Sequence, residues 1–122
     1  MNFNITPEEL RELLAENQAQ SRLSDRTGTS KVRLIDVREP EEYQLCALPD
    51  AELRPMSEFS RFQEELVESE DTLVVYCHHG IRSAGVVNQL RYLGRENVLN
   101  LAGGIDRWST EVDPQVPRYG SN

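Results

Sequence analysis

Thr72-Leu73-Val74-Val75-Tyr76-Cys77-His78-His79-Gly80-Ile81-Arg82-Ser83 is the stretch on which the reading of this chain turns. Thr72 to Tyr76 is short, apolar and β-branched, the composition of a strand buried on both faces. From Ser83 to Leu93 the period changes. Val86, Val87, Leu90 and Leu93 recur at helical spacing, and Gly94 closes the run. A buried strand therefore delivers a cysteine to a loop, and a helix leaves that loop five or six residues later.

The same alternation continues on both sides. Downstream, Val98-Leu99-Asn100-Leu101 reads as a strand, and Gly103-Gly104 turns the chain into a last helix holding Ile105 and Trp108. Trp108 reads as core packing. Upstream, Ser57 can cap a helix running to about Val67, and Ala51 to Arg54 is a weaker strand ended by Pro55. Pro40 to Tyr43 reads as a short helix and Val32 to Val37 as a strand. The polar segment from Asn17 to Lys31 reads as a long surface loop. Thr6-Pro7-Glu8-Glu9 starts a helix to about Glu16, with Thr6 and Glu9 as a capping box and Leu10, Leu13 and Leu14 on one face. There is no internal repeat. Strands alternating with helices predict an α/β fold, a parallel central sheet with helices on both faces, in one domain over residues 1–122. Sites in such sheets lie beyond the carboxyl ends of the strands, and Asp36 and Cys77 both fall there.

Composition narrows the function. The chain has 122 residues, 38% hydrophobic and 28% charged, enough for a core without staples. A formal net charge of -8 speaks against nucleic acid and against an anionic membrane surface. No stretch approaches the length of an apolar membrane span. The first residues, Met1-Asn2-Phe3-Asn4-Ile5, lack a basic and then an apolar leader pattern, so the cytoplasm is the expected compartment. Two cysteines without a secretion signal suggest reduced thiols.

The loop carries the chemistry. None of residues 78 to 83 is proline, so each has a backbone N–H to offer, and Gly80 permits a positive φ within the curl. The helix that follows adds its positive end. Together these form an anion cradle that would hold a reactive sulfur at Cys77 as an anion. Arg82 can pair with an anionic donor or fix the loop by bonding its carbonyls. His78 and His79 either add polarity at the rim or only shape the loop. Two adjacent histidines, with no matching C-x-x-C or H-x-x-x-H spacing, predict no metal site, and no cofactor is expected.

On these residues the chain resembles the rhodanese family. Cys77-His78-His79-Gly80-Ile81-Arg82-Ser83 is similar to its C-x-x-G-x-R-[ST] active loop, and Leu34-Ile35-Asp36-Val37-Arg38-Glu39-Pro40-Glu41-Glu42-Tyr43 to its first signature. Leu101-Ala102-Gly103-Gly104-Ile105-Asp106-Arg107-Trp108 resembles its C-terminal element. The resemblance implies a sulfurtransferase. Cys77 would carry a persulfide, and His78, His79, Gly80, Ile81, Arg82 and Ser83 would bind substrate around it. Asp36 would support the loop from the next strand end, or cap local backbone N–H groups. Arg38 would be a structural ion-pair member more than a ligand. The loop does not match the mercaptopyruvate type, which leaves thiosulfate or a protein persulfide as donor, and a thiol, cyanide or sulfur-carrier protein as acceptor. Cys46-Ala47-Leu48-Pro49-Asp50-Ala51 stands where the family usually has Gly-His-Ile, then Gly-Ala. The tail Val112 to Tyr119 is similar to the end of rhodanese domains fused to enzymes that activate ubiquitin-like sulfur carriers. Cys46 reads as inert, with a resolving disulfide to Cys77 as the alternative. Two other functions compete: a binding or regulatory module with little turnover, and a C-x5-R phosphatase, against which the shorter C-x4-R spacing counts.

Overall fold

The structure, a computed structural model, describes residues 3–23 and 31–120. Five strands form one sheet: β1 (Asn4–Ile5), β2 (Val32–Asp36), β3 (Glu52–Leu53), β4 (Thr72–Tyr76) and β5 (Val98–Leu101). Their spatial order is β1-β5-β4-β2-β3, and every pairing is parallel. The helices are α1 (Pro7–Leu23), α2 (Pro40–Leu45), α3 (Phe59–Glu68), α4 (Ile81–Tyr92) and α5 (Gly104–Glu111), with a 3₁₀ turn at Met56–Glu58.

The sheet separates two cores, and the period of two along β4 decides which residue goes where. Val74 and Tyr76 pack with Leu10 of α1 and with Ile105 and Trp108 of α5. Leu73, Val75 and Cys77 pack with Leu66 of α3 and with Val86, Val87 and Leu90 of α4. Helices thus cover both faces, as the alternating pattern predicts. Leu66, Leu73, Val74, Val75, Leu90 and Leu101 are fully buried, each contributing roughly 1.5–3 kcal/mol of transfer free energy. A one-residue slip of β4 would exchange its two faces and take Cys77 away from α4.

Local rules explain most boundaries. Thr6 and Glu9 close the expected capping box, with Glu9 N–H to Thr6 Oγ1 at 3.1 Å and Thr6 N–H to Glu9 Oε1 at 2.9 Å. Several expectations need correction. Helix α1 continues to Leu23 instead of stopping near Glu16. Asn17 to Leu23 is polar but contains no glycine or proline, and Gln, Ala, Arg and Leu are good helix formers. The remainder of the expected loop, residues 24–30, lies outside the described residues. Ser57 does not cap α3. It sits in the 3₁₀ turn, and its hydroxyl donates to Glu39 at 2.7 Å. Helix α4 begins at Ile81, two residues earlier than the apolar pattern suggests, because Gly80 at φ 98° starts it from the left-handed region. The two-residue β1 has too short a pattern to be read from sequence; it pairs Ile5 with Leu101.

Candidate active site

Cys77 follows the last residue of β4 and is 1% exposed, its side chain under the first turn of α4. Its Sγ accepts from Gly80 N–H at 3.1 Å and Ser83 N–H at 3.4 Å, and the Ser83 hydroxyl lies 3.3 Å away. Among the described residues these two are the N–H donors at the sulfur, fewer than residues 78 to 83 have to offer. The reason is that the chain enters a helix at Ile81. Only the third N–H of the first turn then reaches the sulfur along the helix axis. The Ile81 side chain is 82% exposed and stands outside this arrangement.

Asn100 of β5 ties the loop together. Its Nδ2 donates to the Gly80 carbonyl at 3.2 Å and to Asn4 Oδ1 at 3.1 Å, and its Oδ1 lies 2.5 Å from the Ser83 hydroxyl. The loop is also seated on α5. The Cys77 carbonyl accepts from Ile105 N–H at 2.9 Å and the His78 carbonyl from Asp106 N–H at 3.1 Å. Gly104 makes this approach possible, because a Cβ there would lie 2.4 Å from the His78 oxygen and 2.5 Å from the Cys77 oxygen, at a φ of 63°. Gly103-Gly104 therefore does more than turn the chain, as the sequence suggested; it lets one helix end press against the active loop.

Arg82 is not free. Its two terminal nitrogens meet the two oxygens of Glu42 at 2.8 and 2.9 Å, a bidentate pair from α4 to α2, and not the loop carbonyls that the sequence also offered it. The pair belongs to a longer chain of contacts. Tyr119 donates to Glu42 at 2.8 Å and accepts from Arg38 at 2.9 Å. Arg38 is fully buried, bonds Asp36 through Nε and Nη2 at 2.9 and 2.7 Å, and also donates to the Cys46 carbonyl at 2.6 Å. Asp36 further accepts from the Arg38 backbone N–H at 3.0 Å and the Tyr76 hydroxyl at 2.8 Å. It thus serves the ion pair and the local backbone, beside the loop rather than in it. The Arg82 guanidinium holds the Glu42 carboxyl down to about 2 against the opposing effect of its partial burial. Burial works against the Arg38 cation, but Asp36 and Tyr119 outweigh it and keep its pKa above the usual arginine range. Burial, together with Glu42, pushes the Tyr119 phenol up to about 12 although Arg38 opposes it.

His78 is stacked between His79, at 3.9 Å between ring centroids, and Tyr119, at 4.0 Å. Burial, with the neighbouring His79, lowers its pKa and favours the neutral ring. His79 Nε2 lies 3.7 Å from Asp106 on α5, and Asp106 is bound through both oxygens by Arg118 at 2.8 and 3.1 Å. The fold thus gathers His78, His79 and Asp106, with ligand atoms within 4.8 Å of one another. The sequence, which offered only two adjacent histidines, did not show this grouping. Arg118 already neutralises the carboxylate there. Cys46 and Cys77 are both free thiols and belong to the two separate cores, which lends a disulfide between them no support.

The family model of the rhodanese-like domain matches residues 6–111. The chain belongs to the rhodanese-like domain family. A relative in Arabidopsis thaliana, rhodanese-like/PpiC domain-containing protein 12, chloroplastic, is 34% identical over 106 residues, 84% of this chain and 35% of that protein. The adenylyltransferase and sulfurtransferase MOCS3 of Drosophila ananassae is 32% identical over 93 residues, 70% of this chain and 21% of the relative. This rhodanese-like domain therefore spans 35% and 21% of the length of these two curated relatives. Among solved structures, the human single-domain sulfurtransferase TSTD1 superposes with a TM-score of 0.66 at 26% identity, covering 91% of this chain and 98% of that one. Sequence motifs pointed to Cys77, Gly80, Arg82 and Ser83 in this rhodanese-like domain, but not to Glu42, Asn100 or Tyr119. The bidentate partner of Arg82 had one legible signal, an acidic residue within the Asp36 to Tyr43 signature. Asn100 had none, since asparagine in a strand carries no pattern. No helix among the described residues is long and apolar enough to cross a membrane.

Proposed function

We propose that this rhodanese-like domain is a sulfurtransferase in which Cys77 accepts sulfane sulfur as a persulfide and hands it on. The observation that carries the reading is the setting of Cys77 Sγ, at a strand end, under the first turn of α4, with the N–H groups of Gly80 and Ser83 directed at it. That setting favours negative charge on sulfur. With thiosulfate as donor, the Cys77 thiolate attacks the outer sulfur. A Cys77–sulfur bond forms, the sulfur–sulfite bond breaks, and sulfite leaves with the electron pair. An acceptor thiolate or cyanide then attacks the outer sulfur of the persulfide and expels the Cys77 thiolate. The sulfite leaving group needs no proton, which suits a loop without a carboxylic acid. His78, His79, Gly80, Arg82 and Ser83, with the backbone of Ile81, form the surroundings of the transferred sulfur, and a protein persulfide fills the donor role by the same exchange. The acceptor is a thiol or a sulfur-carrier protein. Two free thiols suit a reducing compartment, of which the cytoplasm is the proposed one.

Intact-mass measurement after thiosulfate treatment tests this. One added sulfur on Cys77, removed by cyanide as thiocyanate or by a thiol reductant, is the expected result. Cys77→Ser should fold and take up none, because a serine alkoxide is not available at neutral pH. Thiocyanate production by the serine variant would refute the assignment.

A further inference from the structure

Ser83 has one hydroxyl proton and two candidate acceptors, Asn100 Oδ1 at 2.5 Å and Cys77 Sγ at 3.3 Å. The orientation of the Asn100 amide settles where that proton rests. Its nitrogen faces the Gly80 carbonyl, which can only accept, so Nδ2 must be the atom on that side. The second amide hydrogen goes to Asn4 Oδ1. Both donors are thus committed, and the oxygen is left toward Ser83 as an acceptor. At 2.5 Å the hydroxyl hydrogen lies between Ser83 and Asn100, and what Ser83 presents to the sulfur is a lone pair. Asn100 is 6% exposed and Ser83 fully buried, so water does not replace either partner.

We propose that Asn100 is a positioning residue that sets the direction of the Ser83 hydroxyl, so that the resting Cys77 thiol donates its S–H to Ser83 and the hydroxyl turns to the sulfur only when the sulfur becomes an anion. This rests on the reading that Cys77 is the reacting thiol and goes beyond it, because it assigns the proton inventory of the resting site. Thiol state: Cys77 S–H to Ser83 Oγ, Ser83 O–H to Asn100 Oδ1. Anion state: Ser83 O–H to Sγ, joining the N–H groups of Gly80 and Ser83, with Asn100 Oδ1 giving up its donor. The switch is a rotation about one bond, and its counterweight is the strength of the Ser83–Asn100 bond. Asn100 therefore acts against early ionisation of the sulfur and keeps the donor in reserve for the charged state. Titratable and charged groups face the loop from every element packed against it. They are Arg82 of α4 with Glu42 of α2, His78 and His79 of the loop, Asp106 of α5 with Arg118, Asp36 at the end of β2 with Arg38, Tyr76 of β4, and Tyr119 against His78.

The test reads ionisation directly and does not depend on sulfur transfer. The pH dependence of Cys77 alkylation by iodoacetamide, followed by mass on the intact protein, is measured in the parent, Asn100→Leu, Ser83→Ala and the double variant. Asn100→Leu should move the midpoint to lower pH by about one unit, because the released hydroxyl now donates to sulfur throughout. Ser83→Ala should move it to higher pH, and the double variant should match Ser83→Ala. An Asn100→Leu shift that persists without the serine hydroxyl, or that runs to higher pH, overturns the proposal. The parent and Ser83→Ala proteins alone supply a second reading should Asn100→Leu not fold. The S–H stretching band that vanishes on Cys77 alkylation should lie at lower frequency in the parent than in Ser83→Ala, and equal frequencies would also overturn it. A parent protein that shows these shifts yet takes no sulfur from thiosulfate would instead count against the sulfurtransferase reading alone.

Discussion

The guanidinium of Arg82 is matched oxygen for nitrogen by Glu42, so the rim of the loop carries a neutral pair and not a bare cation. Under the proposed function, a dianion such as thiosulfate would gain from Arg82 only what Glu42 does not already take. Removing each partner should therefore act in opposite directions. Arg82→Ala leaves the Glu42 carboxylate facing the site and should raise the thiosulfate KM by about 10-fold or more, as expected for roughly 1.5 kcal/mol of like-charge repulsion and lost attraction. Glu42→Gln releases Arg82 and should lower KM several-fold. Steady-state thiocyanate assays of the two variants check both signs, and an equal increase in both would make the pair purely structural. The arginine was legible in the sequence because it sits at fixed spacing from the cysteine. Its pairing with Glu42 was not, because pairing across two helices depends on how α2 and α4 dock.

The N-terminus of α5 and the loop after β4 meet through backbone hydrogen bonds, and Gly104 sets how close they come. Gly104→Ala should cost about 2–4 kcal/mol, the sum of left-handed backbone strain and a clash with two carbonyl oxygens that cannot both retreat. Gly85, exposed in the middle of α4 with nothing within 4 Å of a built Cβ, is the control. Gly85→Ala should stabilise by about 0.5–1 kcal/mol. Urea unfolding of the two variants should show shifts of opposite sign. Element types were well marked in the sequence: β2, β4 and β5 by their apolar runs, α4 by its spacing, the start of α1 by its caps. What failed were boundaries decided by something other than pattern. Helix α1 ran on through polar residues that no glycine or proline interrupts, and α4 began early on a left-handed glycine. Ser57 lost its capping role to a 3₁₀ turn and Glu39. For the glycine pair, turn chemistry was evident, while the close approach it permits required the third dimension.

For the molecule as a whole, acid should loosen the structure in a definite window. Glu42 titrates near 4.5 when unfolded and near 2 when folded, held down by Arg82. Its contribution, about 1–3 kcal/mol after allowing for partial exposure, is complete above pH 4.5 and is lost as pH falls toward 2. Glu52, lowered by Arg33, and Glu65, lowered by Arg54, add in the same direction. His78, lowered by burial and by His79, makes its own contribution above pH 6.5 and loses it as pH falls, since the unfolded histidine takes up its proton first. The urea midpoint, followed by Trp108 fluorescence, should fall between pH 6 and pH 3, and Glu42→Gln should flatten the lower part of that slope. A midpoint independent of pH would remove the ion pairs from the account of stability.

The pairing of β1 with β5 has a consequence for how the chain is made. Asn4 and Ile5 find their partners at Asn100 and Leu101, and the hydrogen bond from Asn100 Nδ2 to Asn4 Oδ1 spans 96 residues. During synthesis β1 leaves the ribosome before β5, the strand it pairs with, and must wait for it. Strands β2, β3 and β4 can assemble while translation continues; the N-terminal edge must wait. The asparagine that binds the loop after β4 is the same residue that receives β1, so Cys77 acquires its final surroundings only as the nascent chain closes on itself.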